Sequence, residues 1–221
     1  MICVTLFELM KDFQKWRQCL RALRSSALAL LFMSCVTTAA PSTVSISYTP
    51  ENTVQPVRGA GAVTITVNDL RADRERVGNT TGMIAKSGNG AITTTESVEV
   101  IVRTAMESEL RNRGFTLSSG AASVTIDVSQ FDVQHIIRQP SELLLIHSDN
   151  SRAEVLMHVR VTGAGGKHLY SRLVFGQDGS DQDSDQQTLD LALQEALRDL
   201  FADPSFIGAI VAAEHVQPNT R

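Results

Sequence analysis

The side chains best placed to do chemistry form one charged cluster, Asp69, Arg71, Asp73, Arg74 and Glu75, behind the alternating stretch Val63-Thr64-Ile65-Thr66-Val67-Asn68. Loops leaving a rigid strand often carry binding residues. Asp69, Arg71 and Asp73 are therefore the candidate partner-binding positions. The loop Asp69 to Glu75 is also the alternative place for a small ligand or a metal. The same residues read equally as a solvated ion-pair network that orders the start of the loop. A metal is poorly served there, because neither a histidine nor a further carboxylate lies at ligand spacing from Asp69 and Asp73. A serine hydrolase needs Ser, His and an acid converging in space. His147-Ser148-Asp149 has those types in a row, but neighbours on an extended chain point to opposite sides. His158 and His168 fall on one face of an expected hairpin, which makes them the histidine pair to consider for a metal. Gly163-Ala164-Gly165-Gly166-Lys167 fails as a phosphate loop twice, since Val161 stands where the first glycine belongs and His168 where Ser or Thr belongs. The reading is no catalytic set, no metal, no cofactor and no enzyme, with an envelope hydrolase as the last alternative.

Cys35 offers chemistry of another kind. Lys11, Lys15, Arg17, Arg21 and Arg24 precede the apolar run Ala27 to Met33, which ends in Ser34-Cys35. This is the pattern of a bacterial secretory leader with a lipid-accepting cysteine. The run is far short of the roughly 20 apolar residues that span a bilayer. Cys3, Cys19 and Cys35 are the chain's three cysteines, so cleavage before Cys35 leaves one, and it is acylated. No free thiol then meets an oxidising compartment. Met10 is an alternative start to Met1. The first 34 residues hold five of the 20 basic and two of the 24 acidic side chains, so the remainder is formally −7. Such a chain lacks the basic stripe that nucleic acid requires. Membrane attachment is therefore expected through acyl chains on Cys35.

The elements that must position these residues follow from periodicity. Residues 1–34 read as the signal peptide, 35–60 as a lipidated N-terminus and tether rich in Thr, Ser, Ala and Pro, 61–215 as one domain, and 216–221 as a polar tail. Val63 to Asp69 alternates as a strand. Leu70 to Ile92 has four glycines and no helical period; short strands at Val77-Gly78 and Met83 to Ala85 are one way to fill it. Thr93-Thr94-Thr95-Glu96 matches a capping box, followed by a helix with Val98, Ile101, Val102, Ala105, Met106, Glu109 and Leu110 on one face, closed by Gly114 and Phe115. Ser123 to His135 reads as a strand whose apolar parity switches near Gln130, the mark of a bulge. Leu143 to Ile146 reads as a short buried strand. Ala153 to Val161 and Leu169 to Phe175 form a hairpin around a three- or five-residue loop, with Val161 facing Leu169, Val155 facing Phe175, and His158, Arg160, Tyr170 and Arg172 on the wetter face. Leu189, Leu193, Ala196, Leu197 and Leu200 define a helix, and Asp203-Pro204 restarts a short one. The sum is an α+β two-layer domain: an antiparallel sheet of about four strands packed by two main helices and a short C-terminal one, in the order β-α-β-β-β-α-α.

This order of parts resembles the YajG-like bacterial lipoproteins. The resemblance rests on Cys35, on Val67-Asn68-Asp69-Leu70-Arg71-Ala72-Asp73 with Val77-Gly78, on Ile92-Thr93-Thr94 before the helix ending Arg113-Gly114-Phe115, and on the terminal helices. It implies a lipoprotein of the outer membrane facing the periplasm, with Val36 after the cysteine agreeing with outer-membrane sorting; the absent catalytic set adds the expectation of a noncatalytic binding or scaffolding module. The family supplies no catalytic residue. An envelope protein or polymer is the expected partner, engaged through loops or a sheet edge. The sequence leaves the oligomeric state open.

Overall fold

The computed structural model describes residues 41–50, 54–82, 90–138, 148–180 and 184–215. They lie in one compact unit, Thr38–Arg221. Among them are eight strands: β1 (Ser42–Val44), β2 (Ala62–Asp69), β3 (Gly78–Gly82), β4 (Gly90–Thr94), β5 (Thr116–Leu117), β6 (Ala122–Arg138), β7 (Ser148–Thr162) and β8 (His168–Ser180). Three helices accompany them: α1 (Val98–Asn112), α2 (Asp185–Ala202) and α3 (Pro204–His215).

The strands form one mixed sheet built on β6. Along one side, β6 pairs antiparallel with β7, which pairs with β8. Along the other side it takes β2 near its start and β3 near its end, both parallel. Short β5 joins β2, while β4 joins β3 and carries β1 at its margin. This corrects the expected four-strand antiparallel domain of order β-α-β-β-β-α-α. Four of the seven pairings among the described residues are parallel. The physical reason is non-local. Parallel partners need crossovers and leave no hairpin signature in the sequence. β1, β3 and β4 are Ser/Thr/Gly-rich strands whose backbones are ordered by neighbours distant in the chain. The Leu143 to Ile146 and Met83 to Ala85 strands lie outside the described residues.

Local signals did specify the helices. In α1 the buried residues are Val98, Ile101, Val102, Ala105, Met106, Glu109 and Leu110, the expected stripe. Its end is a Schellman closure: Phe115 N–H donates to Leu110 O at 3.0 Å and Gly114 N–H to Arg111 O at 2.9 Å, with Gly114 at φ 88°. Its start differs from expectation, because the cap is Ser97, accepting from Val100 N–H at 3.4 Å, and Thr93 and Thr94 belong to β4. In α2, Ser184 accepts from Gln187 N–H at 3.2 Å, and Leu189, Leu193, Ala196, Leu197 and Leu200 are buried. The β6 bulge falls at Ser129, where the register shifts between Val128 and Gln130.

The β7–β8 register is where sequence logic and structure part. The five-residue loop is present, since Thr162 pairs with His168 across it. One step later Val161 pairs with Tyr170, so Leu169 is an extra residue and every following pair is displaced by one. A one-residue slip exchanges the two faces. Tyr170, Arg172, Val174 and Gly176 turn toward the helices, and Leu173 and Phe175 turn to solvent, 64% and 44% exposed. Two contacts lock this arrangement. Tyr170 OH donates to Asp203 at 3.0 Å, and Arg172 reaches Asp199 at 2.9 Å and Asp203 at 3.4 Å. At Gly176 a Cβ would lie 2.1 Å from Ala192 O and 2.6 Å from Ala196 N, so α2 crosses β8 where only glycine fits.

Residues 42–60, which composition reads as tether, lie against the domain wherever they are described. Val44 is buried, and Ile46, Tyr48, Val57 and Ala60 pack on the core. Ser47 N–H donates to Asp190 at 3.0 Å and Val57 N–H to Arg113 O at 2.8 Å. Alternate apolar residues in an otherwise polar segment suffice to hold it once a groove exists to receive them.

Candidate docking surface

Cys35 lies outside the described residues. Asp69 ends β2, and its side chain turns inward to Arg71; the two are 4% and 8% exposed. The guanidinium is bidentate on the carboxylate, Nε to Oδ1 at 3.0 Å and Nη2 to Oδ2 at 2.8 Å. Nη2 also donates to Arg74 O at 3.1 Å, and Nη1 to Arg76 O at 2.7 Å and Phe131 O at 3.3 Å. These contacts engage all five N–H groups that an arginine possesses. Arg71 thus ties the loop to itself and to the bulged part of β6. Burial pushes the Asp69 carboxyl up, but the hydrogen bonds and charge of Arg71 outweigh it and hold the carboxyl below its usual value. Asp73 is exposed and accepts from the amides of Glu75 and Arg76 at 3.1 and 3.2 Å, an Asx-type turn.

Beside this loop, Arg76, Asn79, Gln130 and Asp132 line an open groove of about 270 Å³. Burial raises the Asp132 carboxyl, opposed by the Gln130 amide and reinforced by the charge of Glu154. Gln130 itself donates to Glu154 at 2.8 Å. No group of three or more His, Cys, Asp or Glu side chains among the described residues could hold a metal. His158 pairs in register with Leu173 and bonds Ser171 at 2.7 Å, whereas His168 sits at the far end of the hairpin opposite Thr162. The strand does not bring the two histidines together.

A Ser, His and Asp set does converge, at positions the sequence reading missed. His135 Nδ1 is 2.8 Å from Asp185 Oδ1 and 3.0 Å from Ser151 Oγ, and Ser151 donates to the same carboxylate oxygen at 2.7 Å. A serine relay needs the hydroxyl on one ring nitrogen and the carboxylate on the other. Here both meet Nδ1 and the serine proton goes to the acid. The trio instead fastens the start of α2 to the β6–β7 hairpin. His147 lies outside the described residues, and Ser148 and Asp149 sit in β7 against Arg138 and Ile137.

The outer face of the sheet is different in character. The helices pack on the face carrying Val124, Ile126, Val155, Met157, Val159 and Val174, all fully buried. On the opposite face, Leu156 pairs with Phe175 and His158 with Leu173. β8 pairs only with β7 among the described strands, so it is an edge. The edge has a definite hydrogen-bond parity. Leu70 N–H donates to Val128 O and Val133 N–H to Val77 O, which turns those β6 residues away from β7. Alternation then gives the odd residues of β7 to β8 and leaves the odd residues of β8 facing outward. Gln177 fits this parity, since its amide donates to Glu195 on α2 at 2.8 Å. Ser171, Leu173 and Phe175 present the remaining edge. Edge strands are ordinarily blunted by charge or proline; neither occurs in the outward row Ser171, Leu173, Phe175 and Gln177.

The chain matches a family model described as uncharacterized lipoprotein over residues 49–210. No curated protein matches it. Similar solved structures include a Xanthomonas campestris protein of the DUF330 family, 12% identical with a TM-score of 0.48 over 79% of this chain and 97% of that one. Another is a lipoprotein of Neisseria meningitidis, 12% identical with a TM-score of 0.29 over 65% of this chain and 99% of that one. These likenesses are too loose to carry an argument about function.

Proposed function

Because the chain belongs to this family of uncharacterized lipoproteins, the YajG-like group, we propose that it is a noncatalytic docking module, anchored through acylated Cys35 in the outer membrane and facing the periplasm. The observation that carries the docking role is the β8 edge, where Leu173 and Phe175 stand in solvent beside outward-facing amides. Strand addition uses such a site, with main-chain bonds supplying affinity and alternate side chains supplying selectivity. The charged loop contributes shape instead, because Arg71 spends its donors on its own fold. The serine, histidine and aspartate cluster found among the described residues is wired as a fastener, which supports a noncatalytic reading.

Two measurements test this. Intact mass and membrane fractionation of the expressed protein beside a Cys35→Ala variant should give an acylated chain starting at Cys35 in the outer-membrane fraction, and a variant lacking both. Full-length soluble protein in both cases would remove the anchor. A photo-reactive side chain placed at Phe175 should crosslink an envelope component, while one placed at exposed Arg103 on α1 should not. Equal labelling from both sites would remove the docking edge.

A further inference from the structure

On the reading that β8 is the docking edge, we infer that its partner is a second copy of this chain, the two β8 strands lying antiparallel with Val174 on the two-fold axis. Parity permits this register. Odd residues face the free edge, so Leu173 opposes Phe175 of the copy and Phe175 opposes its Leu173, each exchanging N–H to O=C bonds, while Val174 meets its own copy as a non-bonded pair. Self-complementarity of this kind, residue i on j and j on i, is what a two-fold interface demands. Gln177 N–H is already held by Glu195, so Ser171, which would oppose it, adds little, and the free pairs of this register are Leu173 with Phe175 on either side of Val174.

Side chains agree with the backbone. On the outer face the cross-strand row Leu156, Phe175 of one copy continues into Leu173, His158 of the other, and the two-fold repeats that row, so an aromatic and an aliphatic side chain meet across the new ladder twice. Charge does not oppose self-association at this edge. Between Ser171 and Gln177 the outward positions carry no charge, and Arg172, the charged residue within the stretch, points to the helices and is held by Asp199 and Asp203. No like charges are forced together in this register.

Sedimentation of the full chain in detergent should give twice the monomer mass of protein. Leu173→Lys and Phe175→Glu, each exposed and distant from the core, should each weaken the dimer by about tenfold or more with an unchanged circular dichroism spectrum. Mixing the two variants should restore a heterodimer, since the register places the new lysine opposite the new carboxylate. A wild type that stays monomeric at ~100 µM overturns self-pairing, as does a dimer indifferent to both variants, or variants that fail to complement. If the wild type is monomeric and the probe at Phe175 still labels an envelope protein, the docking edge stands and only the identity of its partner falls.

Discussion

Replacing Arg71 separates a binding arginine from a structural one. Arg71→Met removes five hydrogen bonds, two of them from the carboxylate of Asp69, which stays buried at 4% exposure and loses its hydrogen-bonded counter-charge. Removing one member of a buried pair costs about 3–5 kcal/mol. With a urea slope of about 2 kcal/mol per M, the unfolding midpoint should fall by about 2 M. Arg71→Lys should recover little, because an ammonium has three donors and no fork to match the carboxylate. The double variant Asp69→Leu with Arg71→Met should recover much of the loss by removing the stranded charge. The pair also sets acid sensitivity. Asp69 has its carboxyl lowered in the fold, so its contribution is present above the usual aspartate value and is lost as pH falls below about 4. Equilibrium urea titration of the wild type and the three variants at neutral and acid pH checks both statements. A midpoint shift under about 0.5 M for Arg71→Met, or a double variant as weak as the single, would refute the structural role and return Arg71 to the surface as a ligand group.

Gly176→Ala should destabilise by about 1–3 kcal/mol or more, because the new methyl meets the α2 backbone at 2.1 Å; Gly163→Ala, whose nearest neighbour is the Leu169 Cδ1 tip at 3.1 Å, should be far milder in the same urea titration. Burial, with the Asp203 carboxylate beside it, pushes the Tyr170 phenol up to about 12. Ultraviolet titration should therefore show a late-ionising tyrosine that Tyr170→Phe abolishes, and the stability it provides, whole below pH about 10, should be lost as pH rises toward the folded value. A single phenol transition near 10 in the wild type would contradict the buried Tyr170–Asp203 contact. Ser184→Ala should lower stability by about 1 kcal/mol through loss of the α2 cap, read as a midpoint shift with unchanged slope.

The sequence determined the parts that short-range physics controls. Helical periodicity placed the buried stripe of α1, including Glu109, and Gly114-Phe115 marked the Schellman end, since a left-handed residue followed by an apolar one leaves few alternatives. The parity switch in β6 announced the bulge at Ser129. Family membership was legible for the same reason, in strand, cap and helix-end patterns that recur in one order. Only the tertiary structure decided the pairing of β2 and β3 with β6, because parallel ladders join residues with no local signal between them. It also decided the face of β8. Counting apolar residues put Leu173 and Phe175 inside. The backbone of α2 at Gly176, together with Asp199 and Asp203 drawing Arg172 and Tyr170 inward, forced the bulge at Leu169 and turned them out. The candidate site exists because a close helix crossing outweighed the burial of two apolar side chains, a contest between elements remote in the chain that no window of sequence contains.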